Sequence, residues 1–143
     1  GMVGGQMLDI DAENGEVTID ALRRIHRLKT GALLTASVRI GGILGGADPD
    51  EMRKLTEYGR HIGLLFQIVD DILDVEGDAS ALGKTPGSDT RLGKATYPAL
   101  LGMEGAKREA DRVRDEALKA AASLPRPISR MSELAEWLHG RKL

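Results

Sequence analysis

Three aspartates, Asp70, Asp71 and Asp74, interrupt a segment that is otherwise apolar apart from one glutamine. Residues Leu64, Leu65, Ile68, Val69, Ile72, Leu73 and Val75 surround them. At about 100° per residue, Gly63, Gln67, Asp70 and Asp74 form one narrow stripe of a helix, with Asp71 beside it. Carboxylates in apolar surroundings are costly unless paired, protonated or bound to metal. Asp70 and Asp74, one turn apart, can direct oxygens at one point, a donor set that suits Mg²⁺ together with phosphate oxygens. A solvated acidic patch is the bland alternative. Lys29 is a second anomaly, because it falls at the centre of the stripe Leu22, Ile25, Ala32, Ala36 and Ile40. Lysine is rarely buried without a partner. Its stem could snorkel or form a structural ion pair; the functional reading is a phosphate or carboxylate partner facing the same cavity as Asp70.

Other polar groups carry weaker signals. Residues 76–95 are rich in Gly, Ser, Thr and Asp and hold Lys84, Arg91 and Lys94. Small residues let backbone N–H groups approach an anion, and the cations add charge. A phosphate-binding P-loop is excluded: five residues separate Gly77 from Gly83-Lys84-Thr85 where four are required, and no strand precedes. His26, His61 and His139 share no ligand spacing and read as core or surface histidines. Asp9 and Asp11 follow Gly4-Gly5-Gln6 and could join a site or cap a helix. The mixed charges from Glu104 to Lys119 read as a solvated helix face with i,i+4 pairs.

The elements that must position these groups are helices. Residues 1–9 read as a short Gly-rich apolar stretch and 10–17 as a polar turn around Asn14-Gly15. A long helix is expected from Thr18 to about Leu44, with Leu22, Ile25, Ala32, Ala36, Ile40 and Ile43 at helical spacing and Gly45-Gly46 as its stop. Asp48-Pro49-Asp50-Glu51 supplies an N-cap, a proline at the first helical position and a glutamate that closes a capping box. The second helix then runs from Pro49 to about Val75, antiparallel to the first. A third is expected from Tyr97-Pro98 to about Ser123, stopped by Leu124-Pro125-Arg126-Pro127, and a short last one from Met131 to His139. No strand alternation and no internal repeat is present, so the fold class is all-α.

Composition bounds the rest. The chain has 143 residues, 41% hydrophobic and 29% charged, which makes one globular domain rather than a disordered segment. A net charge of −2 argues against a general nucleic-acid binder. Absence of cysteine removes disulfides, thiolate metal sites and cysteine nucleophiles, and fits a cytoplasmic location. Aromatics are 3%, which suggests closely packed helices. No apolar run is long enough to span a membrane, and the N-terminus does not read as a signal peptide.

Taken together, the chain resembles the C-terminal half of a trans-polyprenyl diphosphate synthase, most similar in texture to the bacterial short-chain farnesyl or geranylgeranyl type. The resemblance is carried by Gly4-Gly5-Gln6 with Asp9, Lys29-Thr30-Gly31, Phe66-Gln67 with Asp70-Asp71 and Asp74, Gly83-Lys84 with Asp89, and Lys94 with Thr96-Tyr97-Pro98. It implies the helical bundle of the class I isoprenoid synthases, here truncated to its C-terminal helices. It implies that Asp70 ligates Mg²⁺ directly, with Asp71 and Asp74 supporting through water. Lys29 and Lys84 match cations that bind an allylic diphosphate. Thr30 and Gln67 match polar groups that steady the allylic cation, and Gln67 also borders that substrate. The implied reaction is ionisation of an allylic diphosphate, attack by the alkene of isopentenyl diphosphate, and loss of a proton.

One departure limits what the resemblance implies. The family carries a first aspartate-rich motif upstream of the Gly-Gly-Gln segment, and none precedes Gly4 here. The residues expected to hold isopentenyl diphosphate belong to that upstream part as well. The chain alone is therefore expected to be inactive, and its first two helices to present apolar faces that drive self-association into a homo-oligomer, with helices swapped between copies. A non-catalytic helical interaction subunit derived from the same family is the alternative reading. A terpene cyclase half is disfavoured by Asp70-Asp71 with Asp74 and by Lys29-Thr30-Gly31.

Overall fold

In the computed structural model the described residues are 1–12, 17–76, 95–125 and 128–141, and they are helical throughout with short connections. Among the described residues six α-helices follow in order: α1 (Met2–Ala12), α2 (Ile19–His26), α3 (Ala32–Leu44), α4 (Pro49–Glu76), α5 (Tyr97–Ala122) and α6 (Ser129–His139). A π-helical turn, Arg27–Gly31, joins α2 to α3 without a break. The expected long first helix is thus α2, the π turn and α3 in one run. The Gly-rich stretch at the start is a correction: it forms α1, and only Gly5 of it is buried.

The boundaries follow from local chemistry. Thr18 caps α2, its hydroxyl accepting from Ala21 N at 3.3 Å. Gly45 and Gly46 end α3 in a Schellman turn, with Ala47 N donating to Gly42 O at 2.9 Å and Gly46 N to Ile43 O at 3.1 Å. Gly46 sits at φ +71°, where a side chain would be strained. The capping box at α4 forms as the sequence requires. Asp48 Oδ1 accepts from Asp50 N and Glu51 N, and Asp48 N donates to Glu51 Oε2. Thr96 caps α5, accepting from Ala99 N, and Pro98 follows in the first turn.

α4 is the central helix. It buries Leu55, Tyr58, Ile62, Leu65, Ile68, Val69 and Ile72. On one side it lies against α5 through a seam of Ala106, Ala110, Val113 and Ala117, all at most 3% exposed. These small residues at spacings of four, three and four let the two backbones come close, which is how a core with so few rings fills its volume. α5 is not one straight rod: Gly102 takes φ 70° and ψ 162°, splitting off the turn that begins at Tyr97. On its other side α4 meets α3 antiparallel, with Gly59 against Thr35, Gly63 against Gly31 and Leu55 against Gly42.

The π turn corrects the expected face of the first helix. An extra residue in one turn re-phases everything after it. The stripe through Ala32, Ala36, Ile40 and Ile43 is carried away from α4, and Ile40 and Ile43 are 57% and 64% exposed. Gly31, Thr35, Val38 and Gly42 take the inner positions instead. The expectation that the first two helices would both show apolar faces therefore holds for α3 alone, because α4 is covered.

Candidate active site

Three elements converge on a cleft of about 280 Å³: the π turn, the second half of α4 and the entry to α5, with α1 closing one side. The α4 stripe read from helical angle appears in that order. Gly63 touches Gly31, Gln67 faces Thr30, and Asp70 is an exposed residue on the cleft wall. Thr30 Oγ1 donates to Gln67 Oε1 at 2.8 Å. Lys29 Nζ pairs with Asp9 Oδ2 at 2.6 Å, its partner coming from α1. Both are partly shielded, with side chains 33% and 19% exposed. Lys29 thus has a carboxylate partner, Asp9, which fits a structural ion pair as well as a partner in the cleft with Asp70.

The three aspartates do not form one cluster. Asp71 is 8% exposed, and its Oδ2 accepts from Tyr97 N at 2.9 Å, tying α4 to the start of α5. That bond holds an otherwise orphaned helix-terminal N–H. Asp74 is half-buried and does not line the cleft. Among the described residues no group of three carboxylate or imidazole side chains converges as a metal cage. Lys84 lies outside the described residues, as do Arg91 and Lys94.

The electrostatics of the cleft are nonetheless informative. Its described lining carries Asp9, Asp70 and Asp71 against Lys29. Bare diphosphate would meet net negative charge there. A divalent cation beside Asp70 would cancel that charge, and Mg²⁺ is commonly held by one or two carboxylates plus substrate phosphates. An exposed Asp70 on a rigid helix fits that role without a full protein cage.

His26 is a lining residue that sequence reading missed. It is 7% exposed, its ring lies 5.7 Å from that of Tyr97, and its Nδ1 has no hydrogen-bond partner. Burial pushes its pKa down to about 4, offset in part by Asp9 and reinforced by Lys29. Burial likewise pushes the Tyr97 phenol up to about 12. Spacing between histidines carried no such signal, since His26 acts alone. His61 and His139 are surface groups paired with Glu116 and Asp111. The Arg141 guanidinium stands 5.3 Å from the centre of the ring of Phe66, itself a lining residue of the cleft.

A larger groove of about 600 Å³ runs between the end of α3, the start of α4, Leu124 and residues 128–134. Gly41, Gly42, Leu55, Leu124 and Met131 make it largely apolar, and it lacks the convergent polar groups of the smaller cleft.

The described helices form an antiparallel all-α bundle in which a threonine–glutamine pair, a lysine and an exposed aspartate border one cleft. The polyprenyl synthetase family model matches residues 1–134, and the chain belongs to that family. It is 49% identical to the farnesyl diphosphate synthase of Escherichia coli (strain K12), over 96% of this chain and 48% of that protein. It is 48% identical to the chloroplastic geranylgeranyl pyrophosphate synthase 9 of Arabidopsis thaliana, over 82% of this chain and 33% of that one. Among solved structures, heptaprenyl diphosphate synthase from Staphylococcus aureus superposes with a TM-score of 0.93 at 26% identity, over 99% of this chain and 57% of that chain. A geranyltransferase from Helicobacter pylori, complexed with magnesium and isoprenyl diphosphate, gives 0.80 at 33% identity, over 96% of this chain and 45% of that one. The chain spans about half the length of the curated Escherichia coli relative it matches. No described helix is long and apolar enough to cross a membrane.

Proposed function

We propose that the cleft is the allylic-diphosphate half of a prenyltransferase site of the farnesyl or geranylgeranyl diphosphate synthase type, in a cytoplasmic protein of isoprenoid biosynthesis. The observation that carries this reading is the Thr30–Gln67 pair standing in the same cleft as Lys29 and Asp70. In this reading Asp70 binds Mg²⁺, with Asp71 and Asp74 in support. When bound, Mg²⁺ supplies charge that offsets the diphosphate leaving group as the allylic C–O bond breaks. Lys29 and Lys84 hold phosphate oxygens. The oxygens of Thr30 and Gln67 turn their lone pairs toward the developing allylic cation, in a site where fixed dipoles need no reorganisation. The alkene of isopentenyl diphosphate attacks that cation, and a proton then leaves the new carbon skeleton.

The complementary half, which would present isopentenyl diphosphate, is supplied by further helices packed on the exposed faces of α1 and α3. Those faces carry Met2, Val3 and Met7 on α1 and Leu33, Ile40, Ile43 and Leu44 on α3. The same surface supports the alternative, a non-catalytic interaction subunit. Adding the separately expressed upstream half of a relative distinguishes them: recovered prenyl transfer favours the enzyme, and association without turnover favours the subunit.

The half-site itself is tested by titrating Mg²⁺ with inorganic pyrophosphate into this chain by calorimetry. Binding is expected only with both present. Asp70→Asn should weaken it about tenfold or more with helicity unchanged. Pyrophosphate binding that ignores Mg²⁺ or Asp70 would overturn the assignment.

A further inference from the structure

The π turn is gripped from two sides by the same device. On α4, Gly63 touches the π-turn backbone, and four residues later Gln67 takes the Thr30 hydroxyl. On α1, Gly5 touches the π-turn backbone, and four residues later Asp9 takes the Lys29 amine. Each flanking helix therefore offers a glycine and, one turn on, a polar side chain on the same face. A Cβ on Gly63 would stand 2.6 Å from Gly31 Cα, and one on Gly5 would stand 2.3 Å from Lys29 N and 2.6 Å from Lys29 Cα. Every one of those obstacles is backbone, which cannot rotate aside. Ordinary contact begins at 3.4 Å and real contacts essentially never fall below 3.0 Å, so an added methyl at Gly63 must force the backbones apart by several tenths of an ångström.

Resting on the proposed half-site, we infer that Gly5 and Gly63 are positioning residues of the cleft, which fix the π turn between α1 and α4 and so set where Lys29 Nζ and Thr30 Oγ1 stand. π turns are rare, occur mostly as single turns inside α-helices, and are frequent at functional sites. Here the wide turn puts Lys29 and Thr30, adjacent in sequence, against partners on two different helices. Gly59 provides an internal contrast. It makes a similar but slightly looser approach in the same α3–α4 crossing, 2.9 Å from Thr35 Cα against 2.6 Å at Gly63, one turn away from the π turn and with no polar partner to carry.

The test compares Gly63→Ala with Gly59→Ala in the full 143-residue chain. Both are expected to lower the thermal midpoint. Gly63→Ala should also shift the side-chain amide NMR signals of Gln67 and weaken Mg²⁺–pyrophosphate binding about tenfold, the loss of one hydrogen-bonded contact. Gly59→Ala should leave the Gln67 signals in place and the affinity within about twofold. Unmoved Gln67 signals in Gly63→Ala, or losses in both variants that simply follow the midpoint, would overturn the inference. Failure of the unaltered chain to bind pyrophosphate would instead overturn the half-site, while the Gln67 signals still decide the role of Gly63. Should Gly63→Ala not fold, Gly5→Ala serves, since α1 packs at the periphery with Gly5 its one buried residue. Lys29 acetylation, mapped by mass spectrometry, should then rise severalfold as the amine leaves Asp9; an unchanged rate would overturn the inference.

Discussion

His26 occupies a part of the cleft wall where a charged ring would be expensive. Its pKa of about 4 lies below the ordinary 6.5 because burial disfavours the imidazolium. Above pH 6.5 the ring is neutral in both folded and unfolded chains and exerts no pull. Below it, the unfolded chain takes a proton that the folded one refuses. Stability should therefore fall as pH drops through the window from 6.5 toward 4, by about 2 kcal/mol between pH 7 and pH 5. His26→Gln should remove most of that slope, measured as urea midpoints at the two pH values. An unchanged slope would place the titration elsewhere, for instance on the half-exposed His61. Helical angle alone made Gln67 and Asp70 legible as cleft residues, and the misfit of Lys29 on an apolar stripe was itself the signal. The capping duty of Asp71 was hidden, because adjacency to Asp70 says nothing about which of two carboxylates turns inward to meet Tyr97 N.

Elements were readable wherever a local rule fixed them. The Asp48–Glu51 box, the Gly45-Gly46 stop and the proline near the start of α5 each act within a few residues. α1 was missed because its apolar residues do not gather on one face, and the glycine that docks it reads as a helix breaker in sequence. The π turn was missed because an extra residue in a turn carries no side-chain signature. Its effect is large all the same, since it decides which half of α3 faces α4. Between α4 and α5 the seam of Ala106, Ala110, Val113 and Ala117 tolerates little volume. Ala117→Leu should destabilise by about 1–3 kcal/mol through overpacking, read as a lower urea midpoint at unchanged slope. No loss would mean that the two helices can part freely.

At the scale of the molecule, the core lies on one flank and the other is open. The α4–α5–α6 side buries a continuous core, whereas α3 has no buried residue and leaves Leu44 83% exposed. Met2, Val3 and Met7 of α1 and Leu33, Ile40, Ile43 and Leu44 of α3 are all more than half exposed, a large amount of apolar surface for a monomer to leave in water. Sedimentation at micromolar concentration should accordingly show species heavier than the 15.4 kDa monomer. A clean monomer would mean that α1 and α3 tolerate water without a covering partner. The break in α5 at Gly102 has a mechanical consequence for this lopsided body. An unbroken helix is a stiff lever, so any displacement where Asp71 grips Tyr97 would be carried along its length into the alanine seam. With the joint at Gly102, the first turn of α5 can pivot with the cleft while the remainder stays clamped to α4. The cleft end is thereby sprung separately from the chassis that holds it.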